Sequence, residues 1–145
     1  MHLIGTYYHT LEEKSRVSVP KPFRLELKSE SFLTHGLDGC LFIFPHDSWD
    51  KLTKKLLTLP LTQKPARALL RLLTYNAMKL EFDAQGRVHL PEHLLNLSGI
   101  KKDVVFAGAL TRVEVWAKEK YHAYLNELAS DSQGGLEESI TELGI

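Results

Sequence analysis

The chain of 145 residues is 43% hydrophobic and 25% charged, a composition that fits a folded domain and excludes wholesale disorder, collagen-like rods and coiled coils. Its eighteen basic and eighteen acidic residues cancel, so any nucleic-acid role has to come from local clustering rather than whole-chain electropositivity. One cysteine, Cys40, excludes an intrachain disulfide and a thiolate zinc site, and apolar runs such as 39–45 are far shorter than the ~20 residues of a membrane span. The first ten residues, MHLIGTYYHT, lack a basic region followed by an apolar one, and a cytoplasmic protein is expected.

In chain order, residues 5–11 read as a strand leading into a short polar turn that holds Ser15. Val17 and Val19 then alternate with Arg16 and Ser18, so at period two the aliphatics share one face and Arg16 faces away from the core. Pro20 ends this strand and opens a short helix over 20–27, where its missing N–H costs little. An apolar strand pair follows, 32–34 with 40–44. Asp47 and Ser48 are placed to cap a helix carrying Trp49, Leu52, Leu56 and Leu59 at helical spacing before Pro60. Residues 65–73 give a further apolar helix with Arg67 and Arg71 one turn apart.

From residue 77 the order starts again. Arg16-Val17-Ser18-Val19-Pro20 recurs as Arg87-Val88-His89-Leu90-Pro91, 71 positions later. Residues 11–15 parallel 82–86, and 36–44 parallel 108–116 at an offset of 72. The second copy therefore predicts a strand over 77–82, a turn at Gly86, an outward Arg87, a helix over 91–97, a hairpin of 104–107 with 113–116, and a helix over 118–128 with Tyr121, Tyr124, Leu125 and Leu128 on one stripe. Residues 130–135 read as a flexible linker to an acidic amphipathic segment with Leu136, Ile140 and Leu143, mobile or docked on a neighbour. The expected division is 5–60 and 77–128 as related halves, 61–76 as a connecting helix and 129–145 as a flexible acidic tail. The helices around 49–59 and 69–73 carry more apolar surface than one small domain covers, which predicts a chain-to-chain interface there.

The duplicated acid-x-x-Gly/Ser-Arg-Val-x-aliphatic-Pro, with Leu37-Asp38-Gly39-Cys40 after the first copy and the terminal Glu142-Leu143-Gly144-Ile145, resembles the MraZ family of bacterial transcriptional regulators. The resemblance covers nearly the whole chain. It implies an α+β fold: a double-ψ-like swapped-hairpin barrel of the AbrB type, built from two pseudo-symmetric halves with flanking helices. It further implies a closed homo-oligomeric ring, octamer or larger, associated with the nucleoid. The implied function is binding of short repeated promoter elements and repression of a division and cell-wall gene cluster that includes the protein's own gene. The first copy departs from the family pattern, with Glu12 and Ser15 where the second copy has Asp83 and Gly86. A turn that needs positive φ at this position costs serine about 1 kcal/mol that glycine avoids, so the first turn is expected to differ in shape.

The DNA-contact candidates are Lys14, Arg16, Lys21, Arg24 and Arg87. Cations neutralise phosphates with counterion release, and an arginine fork reads guanine from a two-stranded ribbon in the major groove. Against this stands the plainer reading, in which these residues are solvated charges or partners of Glu12, Glu13 and Asp83. The acid four residues before each arginine is also placed to hold it across the turn, which would make Arg87 a scaffold residue.

Enzymatic readings fare worse. Cys40 lies in an apolar strand as an inert thiol despite His46 nearby in sequence, and Pro91 separates His89 from His93, so no metal ligand pair forms. No phosphate-binding glycine pattern or nucleophile elbow is present, and no cofactor, metal or small-molecule substrate is expected. Tyr7, Tyr8, Trp49 and Trp116 read as core or interface aromatics. The alternative function is an antitoxin-like DNA-binding and protein-interaction module; such proteins carry one motif per chain and a long extension, whereas this chain carries two motifs and a short tail.

Overall fold

The protein is described from a computed structural model, which covers residues 2–130 and 135–144. The chain runs β1 (Leu3–Thr10), a 3-10 turn (Glu13–Ser15), β2 (Arg16–Ser18), α1 (Lys21–Leu27), β3 (Ser31–His35), β4 (Leu41–Pro45) and α2 (His46–Leu57). It continues through α3 (Lys64–Tyr75), β5 (Met78–Lys79), β6 (Arg87–His89), α4 (Glu92–Ser98), β7 (Asp103–Leu110), β8 (Val113–Ala117), α5 (Lys118–Ala129) and α6 (Gly135–Glu142). Six strands make one antiparallel sheet in the order β1-β7-β8-β4-β3-β5, and β2 pairs with β6 as a separate antiparallel ribbon.

The pairing interleaves the two copies of the repeat. The first strand of each copy bonds to the third strand of the other, β1 to β7 and β5 to β3. In the ribbon Val17 lies opposite Val88, its own counterpart 71 positions on, and in the sheet Phe42 lies opposite Glu114, 72 positions on. A local twofold axis therefore passes through both pairs. Where β1 crosses β7, Gly5 faces Gly108, and a Cβ on Gly108 would come within 2.5 Å of the Leu3 and Ile4 backbone, so a side chain there would push the strands apart.

The sheet separates two apolar clusters. Leu33, Leu41, Ile43, Val104, Phe106, Val113 and Val115 point to one face, where the ribbon contributes Val17, Val19, Val88 and Leu90 and the short helices contribute Phe23, Leu27 and Leu94. Cys40, Phe42, Phe44, Val105 and Trp116 point to the other, under Trp49 and Leu52 of α2 and Tyr121 and Tyr124 of α5. With both faces covered, β4 is buried at all five positions, an apolar run rather than an alternating one. Pro20 and Pro91 precede α1 and α4 and supply no N–H where the helix would leave one unpaired.

Several expectations need correction. The strands form no closed barrel among the described residues: β1 and β5 are the edges of an open sheet, β2 and β6 pair apart from it, and the isolated bridges Glu12–Arg16 and Phe82–Val88 lie outside the named sheet strands. Each ribbon strand spans three residues, and its second edge meets its own turn rather than the sheet, through Glu12 N–H to the Arg16 carbonyl and Asp83 N–H to the Arg87 carbonyl. The strand expected over 77–82 shrinks to Met78–Lys79, because β3 pairs with it only at Phe32 and Leu33. Helix α2 begins at His46 directly after Pro45 with no side-chain cap, which puts Asp47 inside the first turn. Tyr8 is exposed, stacked on His122, while Tyr7 packs edge-on against Phe23. Of the linker expected over 130–135, residues 131–134 lie outside the described residues. No helix among the described residues is long and apolar enough to cross a membrane.

Candidate nucleic-acid interface

The two turns that flank the ribbon meet across the local twofold. Their backbones share one pattern: Glu12 N–H donates to the Arg16 carbonyl at 2.7 Å, and Asp83 N–H to the Arg87 carbonyl at 2.9 Å. Each turn also bonds the other copy's outgoing strand, Leu90 N–H to the Ser15 carbonyl at 2.9 Å and Val19 N–H to the Gly86 carbonyl at 3.1 Å.

Their side chains part company. In the second turn Asp83 Oδ1 accepts from the backbone N–H of Gln85 and of Arg87, both at 2.9 Å, and Oδ2 accepts from Arg87 Nε at 2.8 Å. The Arg87 backbone N–H, followed by its side chain and the Gln85 N–H, holds the Asp83 carboxyl below the usual carboxylate range, and the same bond to Asp83 raises Arg87. Gly86 sits at φ +77°, and the Arg24 guanidinium of α1 covers it so closely that a Cβ would lie 2.5 Å from Arg24 Cζ. Arg24 is fixed there by a 2.6 Å bond from Nε to the Val19 carbonyl. Its charge reaches His9, whose imidazole is lowered first by burial and then by Arg24.

The first turn has no equivalent brace. Glu12 does not hold Arg16; it accepts from Arg87 Nη1 at 3.4 Å and from Ser18 Oγ at 3.4 Å. The ion pair closest to Arg16 is to Asp83, Nη1 to Oδ2 at 3.9 Å, and its side chain is 39% exposed against 24% for Arg87. Lys14 and Ser15 both adopt left-handed backbone, φ +60° and +58°, so the turn does require positive φ where serine stands, and its 3-10 shape differs from the second turn. Lys14 offers its carbonyl to the His89 ring at 3.0 Å and leaves its ammonium in solvent.

Glu12, Arg16, Asp83 and Arg87 are thus gathered into one charged cluster, with Arg24 attached through Gly86. Lys21, at the start of α1, is exposed and makes no ion pair among the described residues. The Glu12–Arg87 link, the His89 contact and the seat of Arg24 were not read from the sequence. A signal for the first existed: antiparallel pairing about Val17 and Val88 puts each turn's acid beside the other copy's arginine. The second turn carries Gln85, Glu92 and Leu95 where the first has Lys14, Lys21 and Arg24, so positive charge concentrates on the first copy. Elsewhere, Cys40 is buried, its thiol donates to the Leu37 carbonyl, and burial pushes it up to about 12, far from a nucleophile's range. Among the described residues no group of histidine, cysteine and carboxylate side chains is placed to hold a metal ion.

Residues 2–72 and 73–141 each match the family described as "MraZ protein, putative antitoxin-like". The chain belongs to the MraZ family. It is 48% identical over 122 residues, 84% of this chain and 85% of the relative, to the "Transcriptional regulator MraZ" of Caldanaerobacter subterraneus subsp. tengcongensis. With the proteins of the same name from Clostridium beijerinckii and Syntrophomonas wolfei it shares 44% and 41% identity over 142 residues, 98% of this chain and 99% of each relative. The two stretches matched to the MraZ family each contain one of the turns described above.

Proposed function

We propose that the protein is a sequence-specific DNA-binding transcriptional regulator that occupies repeated elements in the promoter of its own gene and represses the division and cell-wall cluster to which that gene belongs. The observation that carries the reading is the unequal pair of turns: Arg16 stands partly exposed beside the solvated Lys14, while Arg87 and Arg24 are held by short bonds to Asp83 and to the Val19 carbonyl. The relatives' shared name, "Transcriptional regulator MraZ", supports it. In this reading the interleaved strands are the swapped-hairpin arrangement of the AbrB type, and the ribbon presents Arg16 to a base edge while Lys14 and Lys21 neutralise phosphates. Arg87, Asp83, Glu12 and Gly86 shape the turns, and Arg24 seals the second one.

One such face binds weakly, since a few cations displace few counterions. A ring of eight or more copies engages successive repeats together, which raises the effective concentration of each face without new contacts and excludes polymerase from the promoter. The protein then works in the cytoplasm, on the nucleoid. The test is a mobility-shift titration on DNA from upstream of its own gene, with one repeat and with several. Tight, salt-sensitive binding that rises with repeat number supports the reading, and equal affinity for unrelated DNA overturns it. A toxin gene next to this one would favour the antitoxin-like alternative.

A further inference from the structure

Two surfaces of the molecule carry exposed charge of opposite sign beside apolar side chains and complement one another. Between α2 and α3 a groove of about 420 Å³ opens over β4, floored by Phe42, Leu52, Leu69 and Leu73 and rimmed by Lys51 and Lys55. The two lysines lie one helical turn apart, are exposed, and have no acidic partner among the described residues. Arg112 also reaches the groove but is held by Glu114 at 2.7 Å and lies over the Phe42 ring, so the open positive charge is that of the lysines.

The second surface is α6. Its sequence puts Leu136 and Ile140 on one stripe, continued by Leu143, and adds Glu137, Glu138 and Glu142, which make no ion pair among the described residues. Leu136 lies beside Tyr124, Glu127 and Leu128 at the end of α5. Ile140 and Leu143 extend past that contact and are 44% and 72% exposed. None of these α5 residues lines the groove, so a chain's own α6 is not seated in it.

We infer that α6 of one copy docks in the α2–α3 groove of a second copy, with Ile140 and Leu143 on the apolar floor and its carboxylates against Lys51 and Lys55. An acidic amphipathic helix is the occupant that a basic-rimmed apolar groove selects, and every copy of this neutral chain supplies both parts. Donor and acceptor surfaces differ, so the contact is head-to-tail and its repetition builds a ring or a filament. The inference rests on the self-assembly in the preceding reading and is independent of DNA binding.

The test uses the full chain and reads its mass by sedimentation across a dilution series. Lys51→Glu with Lys55→Glu, and separately Glu138→Lys with Glu142→Lys, are each expected to raise the concentration at which the assembly dissociates by tenfold or more; all four changes in one chain restore it. Ile140→Ser with Leu143→Ser is expected to act like either charge reversal. A parallel readout places cysteines at Lys55 and Glu138 on a Cys40→Ser background, where oxidation should give a ladder of linked chains. Charge reversals that leave the assembly unchanged, or oxidation that yields only monomer, overturn the inference while the ring stands on other contacts. A wild-type chain that is monomeric at micromolar concentration removes both the ring and this contact, and promoter binding by that monomer would leave the DNA-binding reading in place.

Discussion

The two turns began as copies and now differ in what holds them. Around Gly86 the shape is overdetermined: a glycine at φ +77°, an aspartate accepting two backbone N–H groups, a guanidinium clasped at 2.8 Å and another laid over the glycine. Around Ser15 the same backbone bond is kept with two non-glycine residues in left-handed conformation and with the local acid turned toward the other copy's arginine. Rigidity in one turn leaves the other free to vary. Because the turns are hydrogen-bonded across the ribbon, through Leu90 to Ser15 and Val19 to Gly86, the braced one also steadies its neighbour.

The largest expected effect breaks this comparison at the arginines. Arg16→Ala should weaken promoter binding by roughly tenfold or more per engaged face, as loss of a base-reading arginine does, with unchanged thermal midpoint and assembly. Arg87→Ala should do the opposite, lowering the thermal midpoint with a smaller direct effect on binding measured well below it, since it leaves the Asp83 and Glu12 carboxylates without their closest cation. Mobility shifts and thermal melts on both variants decide it. Equal loss of binding from two equally stable variants would show that the turns are functionally equivalent.

Next in size is the glycine. Gly86→Ala puts a Cβ at positive φ, which costs about 1–2 kcal/mol, and forces Arg24 off its bond to the Val19 carbonyl. A stiffer unfolded chain returns roughly 0.4–1 kcal/mol, so urea denaturation should report a net loss on the order of 1 kcal/mol. Ser15→Gly runs the comparison the other way and should fall within about 0.5 kcal/mol of the parent, because relief of left-handed strain is offset by the freer unfolded chain. A loss on Ser15→Gly as large as that on Gly86→Ala would mean that the serine makes a contact that matters more than its backbone.

The repeat, the order of elements and the outward alternation of Arg16 and Arg87 were legible because they rest on local period and on proline, whose effect on the chain does not depend on what surrounds it. The open sheet was not. Whether a three-residue strand bonds on one edge or two is decided by its neighbours, and nothing within Arg16–Ser18 encodes it. The same holds for the charged cluster: an acid four positions before an arginine points to a pair within one turn, as Asp83 and Arg87 form, yet the same spacing at Glu12 and Arg16 fails because a competing guanidinium arrives across the local twofold. Arg24 reads from sequence as a DNA contact, a solvated charge or a partner of the nearby acids, and only the three-dimensional path of α1 lays it on Gly86.

The smallest effect sharpens the comparison through pH. The Asp83 carboxyl is held below its ordinary value by the Arg87 backbone N–H first and its side chain second. As pH falls, the unfolded chain takes up the proton at an ordinary aspartate value near 4, before the folded one does. The contribution of this group is therefore complete above that range, begins to fall there, and is lost as pH drops through the lower folded value. Asp83→Asn keeps an oxygen for the two backbone N–H groups and abolishes the titration, so its stability should fall less steeply than the parent's in the window that opens near the ordinary aspartate value and extends to lower pH. Denaturation midpoints across that window provide the measurement. Parallel slopes for the two proteins would mean that Arg87 is no more tied to Asp83 than Arg16 is, and the distinction between a braced turn and a free one would fail.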